Sequence, residues 1–461
     1  MKLKSKKIDK AKFYFIGIGG IGMCGLAELL HNLGASVSGS DGVENANTER
    51  LKKLGVAVYK GHLAAQVGEA DVVVYSSAIA SSNVEMVEAR AKEIPLIPRA
   101  EALAEIMRLK RGIAVAGTHG KTTTTSLIAS IFLEAELNPT IVIGGRFERI
   151  QSTALLGTGE WLIAEADESD GSFNKLSPEI AVITNIDSDH MDHFKTFENL
   201  KRAFLDFAYR VPFYGVVIVC GDDPSVRELF MNYSKRILFY GFAATNDFVI
   251  EGEKGHYSIS KNDKLDQKKV KLGSFHLNTP GRHNALNAAA SVVVGLSVGL
   301  DFEICAKGLE HFEGVDRRFH FKGEEANIKV YDDYGHHPTE VRATLQAFRE
   351  KFENNRVVVY FQPHRFSRTE HCWQDYKTCF AQADVLMLTD IYAAGESPIP
   401  GITSEKLLAE MNQPHASYLP KSDKQLDVIL KELRAGDIFL TLGAGDGWKL
   451  GLDVLEYLKK R

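Results

Sequence analysis

The sequence offers little to a disulfide frame or a zinc ribbon. Its five cysteines, Cys24, Cys220, Cys305, Cys372 and Cys379, are odd in number and contain no Cys-x-x-Cys pair, which points to a reducing, cytoplasmic setting. It lacks a basic excess as well: a net charge of −5 provides no broad footprint for nucleic acid or an anionic bilayer. It has no convincing membrane span. The uncharged stretch ALNAAASVVVGLSVGL at 285–300 is short and carries Asn287, so a buried helix is expected and no membrane insertion. Lys2, Lys4, Lys6, Lys7, Lys10 and Lys12 ahead of FYFIGIGGIG imitate a secretory leader, but the glycine spacing and the strand pattern that follows argue for a folded domain.

What is present is an alternation of β-rich apolar runs with helical stretches, in 461 residues, more than one core usually serves. KFYFI, ASVSGSD, VAVYK and ADVVVYSSAI form a first block, GIAVAG, WLIAEAD, IAVITNI and GVVIVC a second, and IKVYDD, RVVVYFQ, ADVLMLTD and DIFLTLG a third. Runs of this kind flanked by glycine or aspartate predict α/β domains with buried parallel strands. A polar stretch at 246–276 reads as antiparallel.

The segment AVAGTHGKTTTT at 114–125 takes a buried strand into a glycine turn and then a helix. Such a turn presents unpaired N–H groups, and the helix dipole adds positive potential. It is a short variant of the phosphate loop: Val115 stands where the full pattern has glycine, and the first glycine is Gly117. Gly117, Thr118, His119, Gly120, Lys121, Thr122 and Thr123 are therefore the candidate triphosphate site. Lys121 is expected to reach the terminal phosphates and Thr122 to offer a hydroxyl to a divalent ion. LIAEADESD places Glu165, Asp167, Glu168 and Asp170, and VITNIDSDHMDHF places Asp187, Asp189, His190, Asp192 and His193, at two further strand ends, where ligands of doubly wound sheets bind.

A second glycine motif, GIGGIG, gives Gly17, Gly19, Gly20 and Gly22, with Asp41 after the next strand. This is the dinucleotide-fold fingerprint, with the acid placed for a ribose. NAD is one reading; the same turn can hold any diphosphate, including that of a nucleotide sugar. Ser76, after the fourth strand, joins this candidate site.

GTHGKTTTT, EADESD, TNIDSDHMD, GRHNALNA, GVDRRF, DDYGHHPTE, QPHRFSRT and AGESPIPG follow one another in this order. With these eight motifs the chain resembles the Mur ligase family over nearly its whole length. The pattern is most like that of the members that join L-alanine to UDP-N-acetylmuramate. The resemblance implies three domains: a Rossmann-like UDP-binding domain at 1–108, a central P-loop-type ATPase domain with a parallel sheet at 109–315, and a C-terminal Rossmann-like α/β domain at 316–461. It implies ATP with Mg²⁺, or Mn²⁺ in its place, and an acyl phosphate on the way to the amide. It carries catalytic roles to Lys121, Glu165, His190 and Arg318, and metal binding to Thr122, Glu165 and His190. His283, Asn284, Asn287, Arg318 and Asp333 fall to ATP, and Tyr334, His336, Arg365 and Arg368 to the amino acid. Without the resemblance, Asn284 reads equally well as a helix N-cap. The gap from Arg318 to Asp333 is short for the family and reads as a trimmed surface hairpin. Three other readings stay open at this point: a ligase that attaches a preformed tripeptide to the same sugar nucleotide, an NAD-dependent redox protein, and an ATPase that drives motion.

Overall fold

The computed structural model describes residues 8–76, 78–263 and 268–460; Lys2, Lys4, Lys6, Lys7 and Ser77 lie outside them. The chain divides into two compact units. One comprises Met1–Glu251, Ser258–Phe275 and Leu286–Glu313, the other Gly252–Tyr257, His276–Ala285 and Gly314–Arg461.

The first unit holds two sheets. The N-terminal one is five-stranded and parallel, in the order Ala57–Lys60, Ser36–Asp41, Lys12–Ile16, Val72–Tyr75, Leu96–Pro98. Chain order reverses between Lys12–Ile16 and Val72–Tyr75, and this switch point is where GIGGIG and Ser76 emerge. The central sheet has ten strands. Its parallel core runs Ile237–Gly241, Val216–Cys220, Ile180–Ile183, Arg111–Ala116, Trp161–Glu165, Thr140–Phe147. Ile180–Ile183 and Val216–Cys220 are buried at every position, as strands covered on both faces require. The polar stretch at 246–276 extends this sheet at one edge through Phe248–Glu253, His256–Asp263 and Lys268–His276.

Helices cover these sheets with periodic apolar faces. Phe197–Tyr209 starts at Thr196, whose side chain accepts from the N–H of Asn199, and buries Leu200, Phe204, Phe207 and Ala208, the spacing of one helical stripe. Phe204 meets Phe173 edge to face at 5.3 Å. Helix Ile21–Asn32, which follows GIGGIG, packs against the hairpin of Thr140–Phe147 and Ser152–Leu155. A Cβ at Gly25 would stand 2.9 Å from the Thr153 hydroxyl, so the close approach requires glycine.

The second unit is built on a six-stranded sheet, ordered His320–Glu325, Ile328–Asp333, Ile438–Leu442, Val357–Phe361, Val385–Leu388, Ala416–Tyr418. All its neighbours are parallel except the first pair. That antiparallel pair is the trimmed hairpin expected between Arg318 and Asp333. Glu325 pairs with Ile328, leaving a loop of Ala326 and Asn327 with φ of 50° and 59°, the two positive angles of a type I′ turn.

Replacing Phe204 by alanine should destabilise the first unit by about 3–5 kcal/mol, the cost of an unfilled aromatic cavity. Denaturant unfolding followed by intrinsic fluorescence measures it, and a loss under about 1 kcal/mol would contradict this packing.

Candidate functional site

The loop after Arg111–Ala116 leaves the central sheet at its switch point, between Ile180–Ile183 and Trp161–Glu165. Gly117 has φ 134°, and a Cβ there would lie 2.0 Å from the Thr184 hydroxyl. The loop is braced by the next strand end. Thr118 N–H donates to the Asn185 carbonyl at 3.1 Å and His119 N–H to the Asn185 side chain at 2.8 Å. Asp187 N–H donates to the Thr118 hydroxyl at 2.9 Å, and the Thr184 hydroxyl to the His119 carbonyl at 2.6 Å. The side chains of Thr118 and His119, the latter 3.0 Å from the Asp187 carboxylate, thus shape the loop. Helix Lys121–Glu134 then starts at Gly120 with no side-chain cap and no acid in its first turn. Its first N–H groups, Thr123's among them, are available to an anion.

Lys121 reaches back over this loop. Its ammonium donates to the carbonyls of Gly117 (2.8 Å) and Thr118 (3.1 Å) and to Glu168 (3.0 Å). Burial works against its charge, but Glu168, Asp167 and Glu165 outweigh that and hold its pKa above the ordinary lysine value. Glu168 is fully buried; burial pushes its carboxyl up, Lys121 opposes the shift and Asp167 adds to it. Sequence reasoning located Glu168 but gave it no role. Its only signal was its place three residues past Glu165 at the same strand end.

The Thr122 hydroxyl donates to Glu165 at 2.9 Å, and the same carboxylate oxygen accepts from Gly144 N–H at 2.9 Å. His190, with φ 58°, places its Nε2 3.8 Å from Glu168 and 3.7 Å from Asp189. A hydroxyl and carboxylates are hard oxygen donors of the kind Mg²⁺ takes, so the residues present fit that ion. Asn287 closes the other side: a Cβ at Gly120 would come within 2.7 Å of its side-chain oxygen. The structure therefore gathers Gly117, Gly120, Lys121, Thr122, Glu165, His190 and Asn287.

At the N-terminal switch point, Gly17 and Ile18 donate N–H groups to the Ser40 carbonyl at 2.8 and 2.9 Å. Gly20 precedes helix Ile21–Asn32 without a side-chain cap. A Cβ at Gly17 would lie 3.6 Å from that of Ser76, so Ser76 borders the glycine turn. Asp41, read as a ribose acid, accepts from Gly19 N–H at 2.8 Å and Val43 N–H at 3.0 Å. Its carboxylate shapes the glycine turn in this structure.

In the second unit, Asn284 lies inside helix Arg282–Ser297 and does not cap it; its amide donates to the Pro280 carbonyl at 2.7 Å. Burial pushes the His283 imidazole down to about 4; Glu340 opposes this and Arg318 adds to it, so the ring is neutral at pH 7. Asp333 is buried and accepts from Phe319 N–H at 2.7 Å and Gly335 N–H at 2.8 Å. Arg317 is bonded to Asp332 and the Gly443 carbonyl and Arg318 lies 3.8 Å from Glu340; the two guanidinium groups both stand over the Tyr334 ring, at 4.9 and 5.1 Å. Tyr334 meets His336 edge to face at 5.5 Å, and His336 lies 5.6 Å from His364. Arg368 is buried with a guanidinium nitrogen 3.3 Å from His364 Nδ1. Arg365 precedes helix Phe366–His371 with φ 69°. His364 thus links the Tyr334–His336 pair to Arg368.

Comparison with known proteins shows the family of the chain. Residues 12–111 match the model described as "Mur ligase family, catalytic domain", 115–295 the "Mur ligase middle domain" and 317–445 the "Mur ligase, glutamate ligase domain". The UDP-N-acetylmuramate–L-alanine ligase of Bdellovibrio bacteriovorus is 69% identical over 98% of this chain and 100% of its own. That of Geobacter sp. strain M21 is 49% identical over 97% and 98%. Among solved structures, UDP-N-acetylmuramate-alanine ligase from Thermotoga maritima superposes with a TM-score of 0.81 at 28% identity, covering 98% of this chain and 99% of that one. A murein peptide ligase from Psychrobacter arcticus shares the fold at 22% identity and TM-score 0.74, covering 98% and 99%. With two glycine turns at two switch points, a lysine in an acidic pocket and full-length relatives of this similarity, the chain belongs to the Mur ligase family.

Proposed function

We infer that this chain is an ATP-dependent ligase that joins L-alanine to the lactyl carboxylate of UDP-N-acetylmuramate in peptidoglycan precursor synthesis. The observation that carries the chemistry is the contact of Lys121 with both the phosphate loop and Glu168 beside it. The 69%-identical relative supports the choice of substrates.

The reaction must bring a carboxylate onto a polyanion. Two unit charges 4 Å apart repel by roughly 4 kcal/mol at an effective dielectric near 20, and a triphosphate carries several. In this reading, the N–H groups at 117–123 receive phosphate oxygens and Lys121 neutralises their charge. Thr122, Glu165 and His190 would hold a divalent ion, which supplies further charge compensation when bound. The lactyl carboxylate attacks the γ-phosphorus and ADP leaves. The amine of L-alanine then attacks the acyl carbon, a C–N bond forms, the C–O bond to phosphate breaks, and the amine gives up a proton. Asn287 beside the loop, with His283 and Asn284, is assigned to the adenosine end. Arg318 is assigned to the phosphates, while Tyr334, His336, Arg365 and Arg368 receive alanine; arginine suits its carboxylate because the planar fork stays charged. Gly17, Gly19, Gly20, Gly22 and Ser76 are assigned to the UDP moiety. Asp41 and Asp333 act in this reading by holding main chain in place as well as by facing a ribose. The setting inferred is the cytoplasm, where five buried thiols are expected; no helix among the described residues is long and apolar enough to cross a membrane.

Mass spectrometry of a reaction with ATP, UDP-N-acetylmuramate and mixed amino acids should show a sugar nucleotide heavier by one alanyl residue. Phosphate release with L-alanyl-γ-D-glutamyl-diaminopimelate in place of L-alanine should stay at background; release only with that tripeptide would overturn the assignment. Lys121→Ala should lower kcat by about 100- to 1000-fold, the scale on which a preorganised donor acts, and steady-state phosphate release reports it. Gly117→Ala should abolish ATP-analogue binding in calorimetry while the sugar nucleotide still binds, because a methyl group there meets Thr184. Unchanged ATP-analogue affinity would remove this loop from the mechanism.

A further inference from the structure

Arg99 opens helix Arg99–Met107, at a position where the sequence shows only PRAEALAE. Its side chain returns over the first turn of helix Ile21–Asn32. A Cβ at Gly22 would lie 3.1, 3.3 and 3.5 Å from its Cδ, Nε and Cζ, so Gly22 is the residue that leaves room for the guanidinium. On its other side, Nη2 stands 3.7 Å from Asp167, too far for a hydrogen bond. Among the described residues no hydrogen bond occupies its five N–H donors, and its side chain is 24% exposed. Asp167 also lies within the field of Lys121.

A planar cation with unspent donors therefore rests on the uncapped start of the helix after GIGGIG, tethered loosely to the acids of the phosphate loop. Guanidinium and helix N-terminus favour the same ligand, a phosphate group, and the fork geometry favours two oxygens at once.

We propose that Arg99 is a binding residue for the diphosphate of the nucleotide sugar, placed between the two glycine loops so that the acceptor substrate is seated beside the ATP acids. This rests on reading the N-terminal glycine turn as the nucleotide-sugar site. Its donors pass to the diphosphate, and the weak pull on Asp167 keeps the empty side chain over Gly22.

Calorimetry on the full chain with UDP, UDP-N-acetylmuramate and, by competition, uridine tests it. Arg99→Gln should weaken UDP and UDP-N-acetylmuramate alike, by roughly 10- to 100-fold, with the melting midpoint kept and uridine affinity unchanged. Arg99→Lys, which keeps the charge and loses the fork, should fall between. Equal loss for uridine would mean that Arg99 only holds the fold. Loss for UDP-N-acetylmuramate with none for UDP would move Arg99 to the lactyl carboxylate, and unchanged affinity for both would remove it from the site; each overturns the proposal. A wild-type chain that binds none of the three would instead overturn the reading of the turn itself.

Discussion

The strand ends beside the phosphate loop are arranged around one largely buried cation. Lys121 is paired with Glu168, lies in the field of Asp167 and Glu165, and donates hydrogen bonds to two loop carbonyls. Removing a lysine and a glutamate from water is expensive, and a buried pair rarely repays that as stability. The arrangement makes more sense as charge held in readiness. The ammonium is fixed over the loop before any phosphate arrives, and an arriving phosphate competes for donors already aimed at its position. Preorganisation of this kind avoids reorganisation at the moment of reaction.

Topology makes such a cation possible. Parallel strands deliver their carboxyl ends to one edge, and at a switch point the adjacent loops diverge and leave a crevice. The chain uses this twice in its first unit, once after Lys12–Ile16 and once after Arg111–Ala116. The strands flanking Arg111–Ala116 bring Glu165 and Glu168 from one side and Thr184, Asn185 and Asp187 from the other. The first set meets the lysine and the Thr122 hydroxyl; the second forms the brace that holds the loop open.

Several polar residues act first on the main chain. Asp41 holds Gly19, Asp333 holds the segment entering His320–Glu325, and Arg317 ties Gly443 to Asp332. A carboxylate at a strand end can face a ligand or accept from the next turn, and its residue type does not distinguish the two. This is why candidate acids were easier to find than to assign. Glu168 and Arg99 were the converse case: one was an acid among several in its motif and the other was not singled out, yet each lies beside a partner brought from a distant segment.

Local order was enough for a great deal. The β-rich runs at the middle of the central sheet became strands because they are apolar on both faces. The two glycine turns were legible because a strand followed by glycines and a helix has few other geometries, and the short gap after Arg318 could only close as a tight hairpin. Those features depend on residues close in the chain, and the sequence by itself determined them. Which side chains share a charge was decided only by the tertiary structure. The pairing of Lys121 with Glu168, of Thr122 with Glu165, and of Arg99 with Gly22 and Asp167 depends on strand order and helix packing, which set distances between segments that sequence spacing does not encode.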